Sequence, residues 1–264
     1  MNRTGLVIAL IIGVGVGLVF GLAPHLDIAV SELFFNDQIK AFTAAYSVPA
    51  LIVRLLATYL IAIIAAPAFI AVAVKLLLPR RRMLIAGRAA LFLIATLALA
   101  PGLMANLILK DNWGRPRPFE IAQFHGPEKF IPWWDPRGDC DKNCSFVAGE
   151  GAGGFWTLAP AALAPPAWRA VAYGAALVFG AAVGTLRMSF GAHFFTDVAF
   201  SGVFTFLIIW IVYAMIYRWR PTRITDEQVE HVLERITLPA YEAVERFVAR
   251  IGAFWRRGRA GERP

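Results

Sequence analysis

RMSFGAHFFTDVAFSGVFTFLIIWIVYAMIY, residues 187–217, decides how the rest of the chain is read. Its second part, 198–217, carries no charged residue and has the length, about 20 apolar residues, that a helix needs to cross a bilayer. Backbone groups find no water in hydrocarbon, so a run of this kind must be helical. The first part sets Arg187, Gly191, His193 and Asp197 at the end of that span. A cation, a turn-former, a nucleophile and a carboxylate thus crowd one membrane surface.

Five more apolar runs precede this one: 5–23, 55–74, 89–109, 146–164 and 170–186. The expected fold is all-α: a polytopic membrane protein with six transmembrane helices and a C-terminal amphipathic helix. Composition agrees. Of 264 residues, 58% are hydrophobic and 17% charged, against about 25% charged in a soluble domain; the surplus apolar surface belongs in lipid. The fourth and fifth runs are the weakest, one carrying Glu150 and many glycines, the other short. The first follows Arg3 as a signal peptide would, but it is long and closes on no small-x-small site before Pro24. An uncleaved anchor is expected.

Basic residues set the orientation. Arg3, the group Arg80, Arg81, Arg82 and Arg88, then Arg169, then Arg218, Arg220 and Arg223 all fall on one side of a six-span plan. That side is expected to be cytoplasmic and to hold both termini. The periplasmic side then holds the loops around 25–46 and 111–145. Cys140 and Cys144 lie in the second loop with three residues between them. In an oxidising compartment they suit a local disulfide; two free thiols or a metal pair are the alternatives, and no third and fourth metal ligand is evident. Residues 1–220 are expected to form the membrane domain, with an outer loop at 110–145, and 221–264 a cytoplasmic tail.

Three segments come to the periplasmic face of this plan: KDNWGRPRP at 110–118, SFVAGE at 145–150 and RMSFGAHFFTD at 187–197. A phosphoryl group in transfer is stabilised mainly by positioned cations and hydrogen bonds. Lys110, Arg117 and Arg187 suit that clamp, the arginines as planar forks and the lysine as a point charge. Taken singly, Lys110 and Arg187 read equally as snorkelling residues at helix ends. That leaves His193 and Asp197 beyond Arg187 unexplained. A helix starting near Ala192 would put both on one face, so that His193 attacks phosphorus through one nitrogen while the carboxylate holds the other. Gly149 lets backbone approach a phosphate at a helix start, whereas Gly153 and Gly154 fit small-residue helix packing.

With those residues in place, the chain resembles the type 2 phosphatidic-acid phosphatase superfamily, whose three-part signature reads K-x6-R-P, P-S-G-H and S-R-x5-H-x3-D. Lys110, Arg117 and Pro118 fit the first part; Arg187, His193 and Asp197 fit the third, with Gly191 in its usual place. The resemblance implies that His193 forms a phosphohistidine, that Asp197 orients it, that Lys110, Arg117 and Arg187 hold the phosphate oxygens, and that no metal or other cofactor is needed. Vanadium-dependent haloperoxidases share the signature but are soluble, which six spans argue against.

The middle part departs from the family. Val147, Ala148, Gly149 and Glu150 stand where P-S-G-H is usual, and Leu186 stands where the third part has Ser. The usual acid for the leaving group is therefore absent. Glu150 is the expected replacement, if burial raises its pKa against the nearby cations; otherwise it is a helix-start acid. The acidic middle part and the Arg-rich first part are similar to bacterial lipid A phosphatases. The expected activity is therefore removal of a phosphate from an outer-leaflet lipid, with lipid A first. Undecaprenyl diphosphate and phosphatidylglycerol phosphate are the alternatives, then a lipid phosphotransferase or a silent lipid-phosphate binder.

Outside these motifs, Arg54 reads equally as a site residue or an interfacial anchor. His125 reads as an exposed loop residue or a second acid, and Trp133 with Trp134 as an aromatic belt or the lining of substrate access. After the last span, Val229, Val232, Leu233 and Ile236, then Val244, Phe247, Val248 and Ile251, mark an amphipathic helix interrupted at Pro239 and ending in Arg256, Arg257 and Arg259. It suits the cytoplasmic leaflet or a partner helix. These inner clusters account for the net charge of +8 without nucleic acid. The expected partners are the lipid substrate, the membrane and a possible second copy of the chain.

Overall fold

The computed structural model describes residues 3–260; of the tail's basic end, the side chains of Arg256, Arg257 and Arg259 lie outside the described residues. The chain is mostly helical, and its strands are one short hairpin, β1 (Phe35–Asn36) with β2 (Ala41–Phe42), in which Phe35 pairs with Phe42. Five helices are long and apolar enough to span: Arg3–Leu22, Val48–Leu77, Gly87–Asn112, Pro166–Ser189 and Phe195–Arg218. They begin as α1 (Arg3–Leu22), α3 (Val48–Leu77), α4 (Gly87–Leu97), α8 (Pro166–Ser189) and α9 (Phe195–Tyr213). Between the first two lies the short α2 (His25–Glu32).

The run at 146–164 does not form one long helix. It makes α6 (Gly149–Trp156) and α7 (Leu158–Leu163), broken at Thr157, whose hydroxyl donates back to the Gly154 carbonyl at 2.7 Å. The six spans expected from apolar runs thus appear as five long helices and this broken pair. Its burial is the reverse of a lipid-facing span: every residue of α6 but Glu150 is buried. The glycines explain how. A Cβ on Gly154 would meet the Cα of Gly180 at 3.1 Å, so α6 and α8 touch backbone to backbone, as small residues allow. α1 has the opposite character, with Leu10, Ile11, Val14 and Leu18 exposed, an apolar surface of the kind lipid covers.

After α4 the helix widens into a π-helix at Ala98–Leu109 and ends as α5 (Lys110–Asn112). Pro101 supplies the cause: it has no N–H to continue the α ladder. Its own carbonyl accepts from the Asn106 amide at 2.7 Å. This end of α5 carries Lys110, and the loop at 113–148 folds back over it. Cys140 and Cys144 are disulfide-bonded there, which selects among the three alternatives left open by spacing. Trp133 sits against Gly17 of α1 and Phe200 of α9, inside an aromatic cluster rather than in a belt; Trp134 is exposed.

The last helix, α10 (Asp226–Ala260), continues through Pro239, where an interruption was expected. It lies along α3 and α4. The fully buried Lys75 amine of α3 donates to Glu234 at 2.5 Å, to Glu230 at 3.2 Å and to the Arg81 carbonyl at 2.7 Å. Arg88 pairs with Asp226 at 3.0 Å. These anchors run the length of the contact and offset the one backbone bond that proline removes.

Candidate active site

The three motif segments meet at one end of the bundle. Lys110 ends the π-helical segment, Glu150 opens α6, Arg187 lies in the last turn of α8, and His193 and Asp197 flank the start of α9. The α8–α9 connection is a tight turn in which Gly191 takes φ 67°, and a Cβ there would run into the Phe42 ring. Glycine is needed on both counts. α9 begins at Phe195 rather than near Ala192, so His193 precedes the helix and Asp197 lies in its first turn.

His193 is buried, and its Nδ1 lies 2.7 Å from the Ser145 main-chain carbonyl. A carbonyl only accepts, so Nδ1 carries the proton and Nε2 keeps its lone pair. Asp197 is not the direct partner that was expected: its Oδ2 is 3.8 Å from Nδ1. That oxygen instead accepts from the Ser145 hydroxyl and from the Phe194 N–H, the latter at 2.7 Å. Asp197 thus reaches the imidazole through Ser145. Burial of the ring lowers the His193 pKa to about 4, with Asp197 acting in the opposite direction. The imidazole is neutral at neutral pH.

Behind Asp197 stands a network that motif reading missed. Arg115, wholly buried, donates to Asp197 at 2.6 Å, to Asp27 at 2.8 Å, to the Thr196 hydroxyl at 2.8 Å and to the Ile131 carbonyl at 2.9 Å. Its guanidinium lies 4.2 Å from the Phe194 ring centroid. Asp27 of α2 also accepts from the Thr196 N–H at 3.0 Å. Every arm of a buried charge is thus occupied, as burial demands. The only sequence signal was a second Arg-Pro step in GRPRP, at Arg115 and Pro116.

The cations converge through Asn143. Lys110 Nζ reaches its side-chain oxygen at 3.4 Å, and Arg117 donates to its carbonyl at 2.7 Å. Lys110 in turn lies within electrostatic reach of Arg117, Arg187, Glu150 and Asp197. Gly149 packs on this group: a Cβ there would meet Lys110 Cε at 3.3 Å and run into the Asn106 amide. Arg187 is buried, and its Nε has no hydrogen-bond partner. A buried donor without a hydrogen-bond partner is rare; the Glu150 carboxylate stands 3.5 Å from this one.

Glu150 is held by the residue left open between site and anchor. Arg54 of α3 donates Nε to both Glu150 oxygens at 3.0 Å and Nη2 to Oε1 at 2.5 Å. Arg187 Nε stands 3.5 Å from the same carboxylate. His125 is in the left-handed region at φ 66°, with its ring 6.0 Å from that of Phe35. Among the described residues, no group of three His, Cys, Asp or Glu side chains is placed to hold a metal ion. A neutral histidine with a free Nε2, next to three cations, is equipped to bind an anion and attack it.

Residues 89–221 match the family model of the PAP2 superfamily. The chain belongs to the PAP2 superfamily. The matched stretch runs from α4 past α9, so it contains Lys110, Arg117, Gly149, Glu150, Arg187, His193 and Asp197 but leaves out Asp27, Lys40 and Arg54. Among PAP2 relatives, a lipid A 4′-phosphatase of Francisella tularensis subsp. novicida (strain U112) is 37% identical over 224 residues, covering 83% of this chain and 98% of that protein. A lipid A 4′-phosphatase of Rhizobium leguminosarum is 35% identical over 105 residues, 40% of this chain and 45% of its own length. No solved structure matches the chain.

Proposed function

We propose that this protein is a membrane lipid phosphatase that removes a phosphate monoester from a lipid A-like substrate through a phosphohistidine. The observation that carries the reading is the commitment of His193 Nδ1 to the Ser145 carbonyl, which leaves Nε2 as the nucleophile beside Lys110, Arg117 and Arg187. Nε2 attacks phosphorus, the bond to the sugar oxygen breaks, and the electron pair leaves on that oxygen, which takes a proton from solvent; water then attacks phosphorus, the N–P bond breaks, and its electron pair returns to Nε2. The three cations and the Gly149 backbone hold the phosphate oxygens. Asp197 acts as a positioning residue through Ser145. Glu150, already accepting three hydrogen bonds from Arg54, positions Arg54 and Arg187 rather than donating the leaving-group proton. Lipid A comes first among substrates because both relatives carry that name.

The broken pair α6–α7 supplies the sixth crossing. Arg187 and Glu150 meet at one end, so the chain must return to the other end of α8 between Glu150 and Pro166, and α8 with 24 residues is roughly 36 Å long. Residues 1–220 then form the membrane domain, with the site on the periplasmic face of a bacterial inner membrane. Residues 221–264 form a cytoplasmic tail, and both termini are inside. Lys75, Arg80 and Arg88 at the far end of α3 and α4 support that orientation. The tail holds the bundle by its acidic edge and leaves Val232, Ile236, Val244 and Phe247 exposed, an apolar edge suited to the inner leaflet.

The test is phosphate release in detergent from lipid A, undecaprenyl diphosphate, phosphatidylglycerol phosphate and phosphatidic acid. Release from lipid A, lost in His193→Ala, with an acid-labile phosphoryl group trapped on the wild type, is the expected result. Binding without release from any lipid would overturn it.

A further inference from the structure

The phosphate cluster opens into a cavity of about 530 Å³ on the outer face, within the range of ligand pockets and far larger than one phosphate needs. Arg117 and Arg187 line its inner end and Lys40 and His125 line it as well. Two features set it apart from a solvent-filled cleft. Its lining includes Lys40, Arg54, Arg117 and Arg187 and no carboxylate. One wall is a rigid aromatic set in which Phe35, Phe42 and Phe124 touch one another with ring centroids 5.0–5.2 Å apart.

The cations are not equivalent. Arg54 is committed to Glu150 and Arg117 to the Asn143 carbonyl. Lys40 has no ion-pair or hydrogen-bond partner among the described residues. Yet it is held at the mouth by the β1–β2 turn, at φ 51°. The Asn36 side chain closes that turn by accepting from Gln38 and Ile39 at 2.9 and 3.3 Å. A non-glycine residue in the left-handed region is strained, which is a reason to look for a role.

The geometry points to this cavity as the site for the leaving-group side of the substrate: a saccharide headgroup on the aromatic wall, with a second phosphate on Lys40. A single phosphate monoester already has Lys110, Arg117 and Arg187. A fourth and uncommitted cation, lining a cavity without carboxylates, matches a second anion on the same ligand. The neighbouring cavity fits the same division. It is lined mainly by apolar residues such as Ala57, Ile61, Leu97 and Leu186, has the Arg54–Glu150 pair and Thr58 as its polar residues, and shares Arg54 with the first, so it suits acyl chain better than headgroup. The inference rests on the phosphatase reading for the placement of the first phosphate, and assigns Lys40 as the residue that selects for a second one.

The experiment compares bisphosphorylated lipid A with the monophosphorylated form that keeps the phosphate being cut. It uses the full chain in detergent as wild type, Lys40→Gln and Lys40→Arg. The wild type is expected to prefer the bisphosphorylated lipid in kcat/KM, Lys40→Gln to lower that preference roughly fivefold or more, and Lys40→Arg to restore it. The same three side chains are tested in a His193→Ala background by direct binding of both lipids, which needs no turnover. A preference unchanged by Lys40→Gln in both assays, or absent from the wild type, overturns the inference. If no lipid is hydrolysed while the binding preference follows Lys40, the phosphatase reading fails and the second-anion site stands.

Discussion

His193 donates its Nδ1 proton to the Ser145 main-chain carbonyl at 2.7 Å, while the Ser145 hydroxyl donates to Asp197. One residue thus couples histidine and carboxylate by its two ends. Ser145→Ala keeps the carbonyl and removes the hydroxyl. Loss of a second partner of this kind typically costs 10–100-fold in activity, and kcat is expected to fall by about that much with little change in KM. Asp197→Asn removes a charge from wholly buried Arg115 and should also lower stability, by about 3 kcal/mol. Kinetics and thermal unfolding on the two variants check both. A Ser145→Ala enzyme with wild-type kcat would sink the coupling.

The pH dependence follows from burial of the same ring. His193 titrates at about 4 in the folded protein and near 6.5 in an unfolded chain. Below about 6.5 the unfolded chain takes up a proton that the folded state refuses until about pH 4. The contribution of His193 to stability therefore falls as pH falls through that window, and is constant above it. A substrate phosphate itself titrates near 6, so unliganded protein is the cleaner object. The unfolding midpoint of the wild type, less that of His193→Gln, is expected to decline from pH 6.5 to 4; a flat difference would mean the ring is not desolvated.

Glu150 separates two mechanisms. A proton donor matters for a poor leaving group and hardly at all for a good one, whereas a residue that positions arginines matters for both. Glu150→Gln keeps the shape and removes the counter-charge for Arg54 and Arg187. Rates on lipid and on p-nitrophenyl phosphate should fall by similar factors, roughly tenfold. Loss confined to the lipid would return Glu150 to the acid role read from its place in the motif.

How far the chain could be read in advance depended on sequence distance. Lys110 with Arg117, and Arg187 with His193 and Asp197, lie in local runs, and the spacing alone brought them to one face. Asp27 meets Arg115 across 88 residues, Arg115 meets Asp197 across 82, and Arg54 meets Glu150 across 96. No periodicity carries such pairings; only the packing of α2 and α3 on the bundle supplies them. Apolar content found the run at 146–164 but not its break, because hydropathy does not register that Gly151 and Gly154 sit where neighbouring atoms lie about 3 Å from any added Cβ. In the tail, helical spacing found a helix, but its apolar positions divide: Val229 packs on Gly87, while Val232 and Ile236 are exposed. Which face would meet the protein depended on buried Lys75, 155 and 159 residues away from its two acidic partners.

That lysine yields the last prediction. Lys75 is fully buried at the side chain, while Glu230 and Glu234 remain partly exposed, so the pair contributes less than a fully desolvated one. Replacing both carboxylates by amides leaves a buried ammonium with neutral acceptors only and no counter-charge, a cost on the order of 2 kcal/mol. The double variant Glu230→Gln, Glu234→Gln should therefore unfold several degrees below the wild type with kcat unchanged, since the cluster lies at the opposite end of α3 from Arg54. Lys75→Met removes the charge that the carboxylates answer. Added to the double variant it should restore part of the loss, making the combined effect smaller than the sum. Strict additivity would mean that α10 is held by its other contacts, with the Lys75 cluster contributing nothing to docking.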